Sequence, residues 1–339
     1  MLERSTFSFA LGVAVVAIGI GVSAWFFWSP SDVQNALSLS QPNEACMFSE
    51  NERIAPNTSA EAEELFQRGR AHDLSIVADL PETIPLYLRG TTPNRAEARR
   101  LYQEAADMGH VGAMNNLAVY EQNGWGHPDP NSFPRNHPKS LQLNIEMARR
   151  GDVRGYVGMG LSYATGRAGI TDHQRAQNCF IEAAKRDDAR GILLLARHDL
   201  LLIRLDNVET PPKPQRVPRG LALLEELGRR GNHEGFEDLA DYYQFKEKDP
   251  LKQEYYLREA AKISPLFFWS NLSPLYKFEG TPLYNPEMVA CLQNLTPEDM
   301  PHVDTLCPRP DGPATREAAG LPQAPTTPYD LSALQFIED

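Results

Sequence analysis

The sequence is short of basic residues, with 33 Lys and Arg against 45 Asp and Glu, and its formal net charge is −12. A phosphate backbone would be repelled by such a surface, so nucleic acid is excluded as a partner class, whereas a basic protein partner would be steered in. Cysteine is scarce too: Cys46, Cys179, Cys291 and Cys307 are all there is, none at CxxC spacing and none near a histidine at zinc-finger spacing. That argues against a metal centre, and no metal or other cofactor is expected. GxSxG, HExxH and phosphate-binding Walker patterns are missing as well, so no common hydrolytic or nucleotide-binding motif is present and the chain is expected not to be an enzyme.

Charge is missing altogether from "FSFALGVAVVAIGIGVSAWFFW", residues 7–28. An uncharged run of this length can cross a bilayer as a helix, and Trp25, Phe26, Phe27 and Trp28 sit where an aromatic belt meets the headgroups. Arg4 precedes the run and the next basic residue is Arg53, which favours the N-terminus inside and the bulk of the chain outside. A cleaved signal peptide is the alternative, because Val22, Ser23 and Ala24 resemble a cleavage site; the apolar run continues past them, which favours an uncleaved anchor.

What the sequence does have is an internal repeat. In "EAADMGHVGAMNNLAVYEQNGWG", residues 104–126, the small pair Ala105 and Ala106 is followed by Gly109, then Ala113, Leu117, Tyr120 and closing glycines. The order returns as Met147, Ala148, Gly151, Gly155, Met159, Tyr163 and Gly166. It returns again as Ala183, Ala184, Asp187, Gly191 and Leu195, and as Leu227, Gly228, Gly231, Gly235, Leu239 and Tyr242. A fifth, weaker copy has Ala260, Ala261, Ser264 and Phe268. The anchors Ala106, Ala148, Ala184, Gly228 and Ala261 are spaced 42, 36, 44 and 33 residues apart, the mark of a helical solenoid with loop insertions. Each unit is predicted to be two antiparallel helices: the first ends at the small pair, where a neighbour can approach, and a glycine supplies the left-handed turn. The second helix lines one face with Ala or Gly, Leu or Met, and an aromatic residue. Asn94 and Glu97 have capping-box spacing at the first helix of unit one.

The resulting division is a short cytoplasmic N-terminus at 1–6, a transmembrane anchor at 7–28, a linker at 29–58 and an all-α, right-handed solenoid at 59–280. A C-terminal extension follows at 281–307, where Cys291 and Cys307 are spaced to close a short loop worth about 3 kcal/mol, and a Pro- and Ala-rich tail at 308–339 is expected to be mobile. Cys179, on a helical pattern, is expected to be a buried thiol.

The quoted segments, with "MARRGDVRGYVGMGLSYATGRAG" and "EAAKRDDARGILLLA", resemble the SEL-one-like repeat family, relatives of tetratricopeptide repeats. Asp187 in place of glycine and Pro265 after Ser264 depart from the pattern. The resemblance implies an adaptor without chemistry of its own. "EARRLYQEAADMGHVGAMNNL" and "LQLNIEMARRGDVRGYVGMGLSYATG" are further similar to the repeat domain of bacterial immunity proteins that neutralise type VI secreted phospholipases in the periplasm. That implies a single-pass protein of the bacterial inner membrane whose repeat domain faces the periplasm and binds a secreted lipase effector. An envelope adaptor with no toxin partner is the alternative.

For partner binding the candidates are Glu234, Glu237, Asp238 and Asp241, on one side of the second helix of unit four, together with Trp125 and Trp269. Trp269 belongs to the dense aromatic group with Phe267 and Phe268. A solvated acidic face and core packing of the aromatics are the plainer readings of the same residues. His110 and His233 follow the helix-ending glycines and read as junction residues. His137, Pro138 and Lys139 give the start of a phospholipase D pattern, but Asn144 stands where that pattern needs Asp.

Overall fold

Helices in this chain begin where a short polar side chain can accept the first free N–H groups. In the computed structural model, which describes residues 46–48, 53–54, 59–73, 91–126, 134–167, 169, 171–202, 214–264, 272–309, 311 and 314–337, this produces a succession of helices and no strand among the described residues. They are α1 (Ala60–His72), α2 (Arg95–Asp107), α3 (Val111–Asn123), α4 (His137–Arg149), α5 (Val153–Ala164), α6 (His173–Lys185), α7 (Ala189–Asp199), α8 (Val217–Arg229), α9 (His233–Tyr242) and α10 (Pro250–Ile263). Shorter α11 (Ser273–Lys277), α12 (Pro286–Gln293) and α13 (Val303–Leu306) follow. From α1 to α10 each helix packs on the next, and α7 also touches α5 and α9, so the pairs stack into an all-helical solenoid.

The second helix of every complete unit starts on a side-chain cap. His110, Asp152, Asp188 and Asn232 accept from the backbone N–H of Ala113, Arg154, Gly191 and Glu234. His110 therefore holds the junction in unit one, while in unit four Asn232 takes that place and His233 is already inside the helix. Nδ1 of His110 accepts from Ala113, so Nε2 carries the proton and donates to Glu63 at 2.9 Å. Asn94 accepts from Ala96 and Glu97, but Glu97 turns away to Arg100, so the expected reciprocal capping box is only half made. The left-handed residue before each cap is Gly109, Gly151 or Gly231, and at the degraded third unit Asp187 adopts the same φ, +59°.

The small residue seven positions after each anchor explains the repeat. At Gly155 an added Cβ would lie 2.4 Å from the Ala148 nitrogen and 2.5 Å from the Asn144 carbonyl oxygen. At Gly235 it would lie 2.5 Å from the Leu224 oxygen and 2.7 Å from the Gly228 nitrogen. The two helices of a unit thus touch main chain to main chain, and Leu117, Met159, Leu195 and Leu239 fill the core beside the contact. Tyr120, Tyr163 and Tyr242, one turn on, are also buried.

Two features depart from expectation. Cys179 is buried but is not a free thiol: it is bonded to Cys46, 133 residues earlier, which brings Phe48 against Tyr156 and Ile54 within hydrogen-bond reach of Arg149. The second disulfide joins Cys291 to Cys307, the pair that spacing suggested. The tail expected to be mobile instead lies against the solenoid over residues 314–337, with Ala319, Leu321, Leu331 and Leu334 buried in the main core. The extension before it is fixed by Arg258, whose side chain is 1% exposed and meets Glu254, Asp304 and Tyr276. The second helix expected for unit five falls largely outside the described residues; α10 ends at Ser264 in extended backbone, as the residue before Pro265 should. The apolar run at 7–28 also lies outside them, and among the described residues no helix is long and apolar enough to cross a membrane.

Candidate protein-binding surface

Helical spacing puts Glu234, Glu237, Asp238 and Asp241 on one side of α9, but the neighbouring second helix, α7, already answers half of that charge. Arg197 grips Asp238 through two bonds of 2.6 and 3.0 Å and reaches Glu234 at 3.1 Å. Asp238 is therefore a buried structural partner rather than a free contact, which corrects its assignment to a binding face; Glu234 remains half-exposed. Glu237 faces His233 on its own helix at 3.5 Å. Burial raises the carboxyls of Glu237, Asp238 and Asp241 above their ordinary range; at Asp241 the charge of Asp238 adds to it, against a smaller opposing pull from Arg197.

Asp241 is the member left to work outward. It lines a cleft of about 390 Å³ between α9, α10 and α11, together with Gln244, Gln253, Leu257, Leu275 and Leu283. Phe278, 59% exposed, forms one wall, and Phe245, 64% exposed, projects from the single π-helical turn that follows α9. A cleft lined by apolar side chains with one carboxylate and two amides among them suits a protein side chain that is apolar along its stem and cationic or polar at its tip. The 272–284 wall escaped the sequence reading because its apolar residues follow no helical period; exposed aromatics beside a Pro-rich stretch were the available signal.

Trp125 is half-buried, edge-on to Tyr120 at 5.7 Å, with the Arg95 guanidinium over its indole at 4.6 Å. It closes unit one rather than presenting a free face. Trp269, with Phe267 and Phe268, lies outside the described residues. Lys139, in the partial phospholipase D pattern, pairs with Glu121 at 3.0 Å, and Asn144 is buried against Gly158, so these residues serve packing. No group of three metal-ligating side chains occurs among the described residues.

The family model of the Sel1 repeat matches residues 86–110, 111–151 and 153–188, which takes in α2 to α6 with their caps. Sel1 repeats therefore occur within residues 86–188. The matched Sel1 units are the first two and the opening helix of the third, where the sequence pattern is strongest; units four and five extend the same stacking beyond them. Among curated proteins no sequence relative matches this chain. Among solved structures it is similar to a Sel1 repeat protein from Oxalobacter formigenes, with 18% identity, 76% of this chain and 95% of that one covered, and a TM-score of 0.48. It is similar to immunity protein Pa5087 from Pseudomonas aeruginosa at 19% identity over 74% of this chain and 83% of that one, TM-score 0.42. A protective antigen of uropathogenic Escherichia coli is similar at 20% identity over 63% of this chain, TM-score 0.44; this chain spans 41% of that antigen's length. None of the three bears on which partner this chain binds.

Proposed function

We propose that this chain is a membrane-anchored, periplasm-facing binding protein that neutralises a type VI secreted lipase effector by covering its catalytic cleft. The observation that carries the binding part is the stack of paired helices itself, which matches the Sel1 repeat over residues 86–188 and offers an extended surface. An interface of roughly 1,200–2,000 Å² is sufficient for such inhibition and requires no chemistry. The choice of a toxin as partner rests on the likeness of residues 97–117 and 141–166 to immunity-protein repeats. The periplasmic placement is supported by the uncharged run at 7–28 and by two disulfides, which persist in oxidising compartments.

Co-expression tests the proposal. A lipase effector encoded at the same locus and directed to the periplasm should arrest growth, and this chain should restore it. Continued arrest with the chain present at the membrane would refute the immunity reading.

A further inference from the structure

The cleft beside Asp241 is lined by polar groups that the fold does not use. Gln253 on α10 is 8% exposed, yet its side-chain amide makes no hydrogen bond with any described residue and is left to the cleft it lines. The side chains of Asp241 and Gln244, at the end of α9 and in the π-helical turn, likewise make no hydrogen bond or ion pair with a described residue. Polar groups as deeply covered as Gln253 are almost always paired, so an unused amide there points to a partner that arrives from outside. No lysine or arginine lines the cleft.

The 274–283 wall is set before anything binds. The Thr281 hydroxyl donates to the Phe278 carbonyl at 2.8 Å, and the Asn285 N–H donates to the Tyr276 carbonyl at 2.9 Å. The buried Arg258 guanidinium in turn donates to the Tyr276 hydroxyl at 2.9 Å. A turn clamped in this way loses little freedom on binding. The exposed aromatic residues among those described are Phe245, Phe278 and Tyr284. Phe278 lines the cleft, and the other two are chain neighbours of the lining residues Gln244 and Leu283. Aromatic surface gathered around a partly polar pocket is the composition of an interface hot spot.

Charge decides what enters. An anionic group would meet Asp241, whose carboxyl is already pushed up by burial and by the charge of Asp238. An apolar side chain would cover the leucines but leave Gln253 and Asp241 without partners. A lysine ammonium is compact and strongly hydrated, whereas an arginine presents five donors in a flat fork and can lie on an aromatic ring.

We propose that this cleft takes an arginine side chain of the partner protein, with its guanidinium at Asp241, Gln244 and Gln253 and its stem along Leu257, Leu275 and Phe278. This rests on the protein-binding reading above and names the chemistry of the partner's anchor.

Two arms test it. In the first, N-acetyl-arginine amide is titrated into the full-length chain in detergent with isotope-labelled leucine methyls. The methyls of Leu257, Leu275 and Leu283 should shift at about millimolar probe, the strength expected of so small a ligand. N-acetyl-citrulline amide, of like shape without the charge, and N-acetyl-lysine amide should each bind about fivefold more weakly or worse. Asp241→Asn and Gln253→Leu should each weaken the arginine probe by a similar factor. No shift, or equal shifts with the citrulline or lysine probe, would overturn the proposal. In the second arm, calorimetry with the purified lipase effector should show binding to Asp241→Asn at least tenfold weaker than to the unaltered chain. A merely structural role would lower the melting temperature of that variant as well, and here it should not fall. An effector that binds both chains alike overturns the cleft as the contact while the proposed function stands. An effector that binds neither defeats the proposed function, and the probe arm still decides the cleft.

Discussion

Gly155→Ala tests the packing rule of the repeat by the sign of its effect. In an ordinary helix interior this change stabilises by about 1 kcal/mol, because alanine is the better helix former. Here the added methyl would sit 2.4 Å from the Ala148 nitrogen and 2.5 Å from the Asn144 oxygen, both main chain and unable to rotate aside. Ordinary contact begins near 3.4 Å, so α4 and α5 must part by about 1 Å. Overpacking of a tight core costs about 1–3 kcal/mol, and contact with two backbone atoms belongs at the upper end. After the propensity gain, the net loss is about 2 kcal/mol, a fall in Tm of about 4–8 °C for a domain of this size. Thermal unfolding followed by circular dichroism measures it. Gly235→Ala, which meets the Leu224 oxygen and Gly228 nitrogen, should behave alike. A Tm that is unchanged or raised in both variants would refute main-chain contact as the reason for the small residues.

Three further outcomes follow from named contacts. Cys46→Ala with Cys179→Ala opens a loop of 133 residues and should cost about 4–5 kcal/mol, against about 3 for the 16-residue loop of Cys291 and Cys307; chemical denaturation of each double variant separates them. Arg197→Ala strands the buried Asp238 carboxylate and should destabilise by about 2–3 kcal/mol; adding Asp238→Asn should recover more than half, and no recovery would mean that Arg197 acts only through its stem. Asp241 is raised in the folded protein, so its ionisation opposes folding, and its contribution to stability is present below pH of about 4 and lost as pH rises through the raised native value. Asp241→Asn should therefore raise Tm at neutral pH and leave it unchanged at about pH 3, with an equal shift at both pH values counting against the reasoning.

How much of this was legible depended on whether it repeats. The helix pairs of units one to four were readable because a small residue, Ala113, Gly155, Gly191 or Gly235, recurs at one register, and at the three glycines the facing backbone leaves no room for a Cβ. Even the departure at Asp187 kept the expected backbone, since Asp tolerates the left-handed region better than most side chains. The Cys46 bond was not readable: a buried helical cysteine has the same pattern whether it is free or bonded, and its partner lies in a stretch with no period. The packed C-terminal tail was missed for a related reason. A short turn at 316–320 and a single 3-10 turn at Leu331–Ala333 bury isolated residues such as Leu321 and Leu334, which leaves neither a 3.6 nor a 2.0 period among the prolines.

The acidic side of α9 was half legible. Its spacing showed the face, but the cation that answers it, Arg197, lies in the preceding unit, thirteen residues after its anchor, and bonds Asp238 and Glu234, which stand ten and six after theirs, so no shared register pairs them.

The central claim is that this helical stack, part of which matches the Sel1 repeat, works by holding another protein. Titration calorimetry of the full-length chain in detergent against the purified lipase effector from its own locus tests that most directly. The account predicts a one-to-one complex of nanomolar affinity in which lipase turnover stops; no binding at micromolar concentrations, or binding that leaves turnover intact, would contradict it.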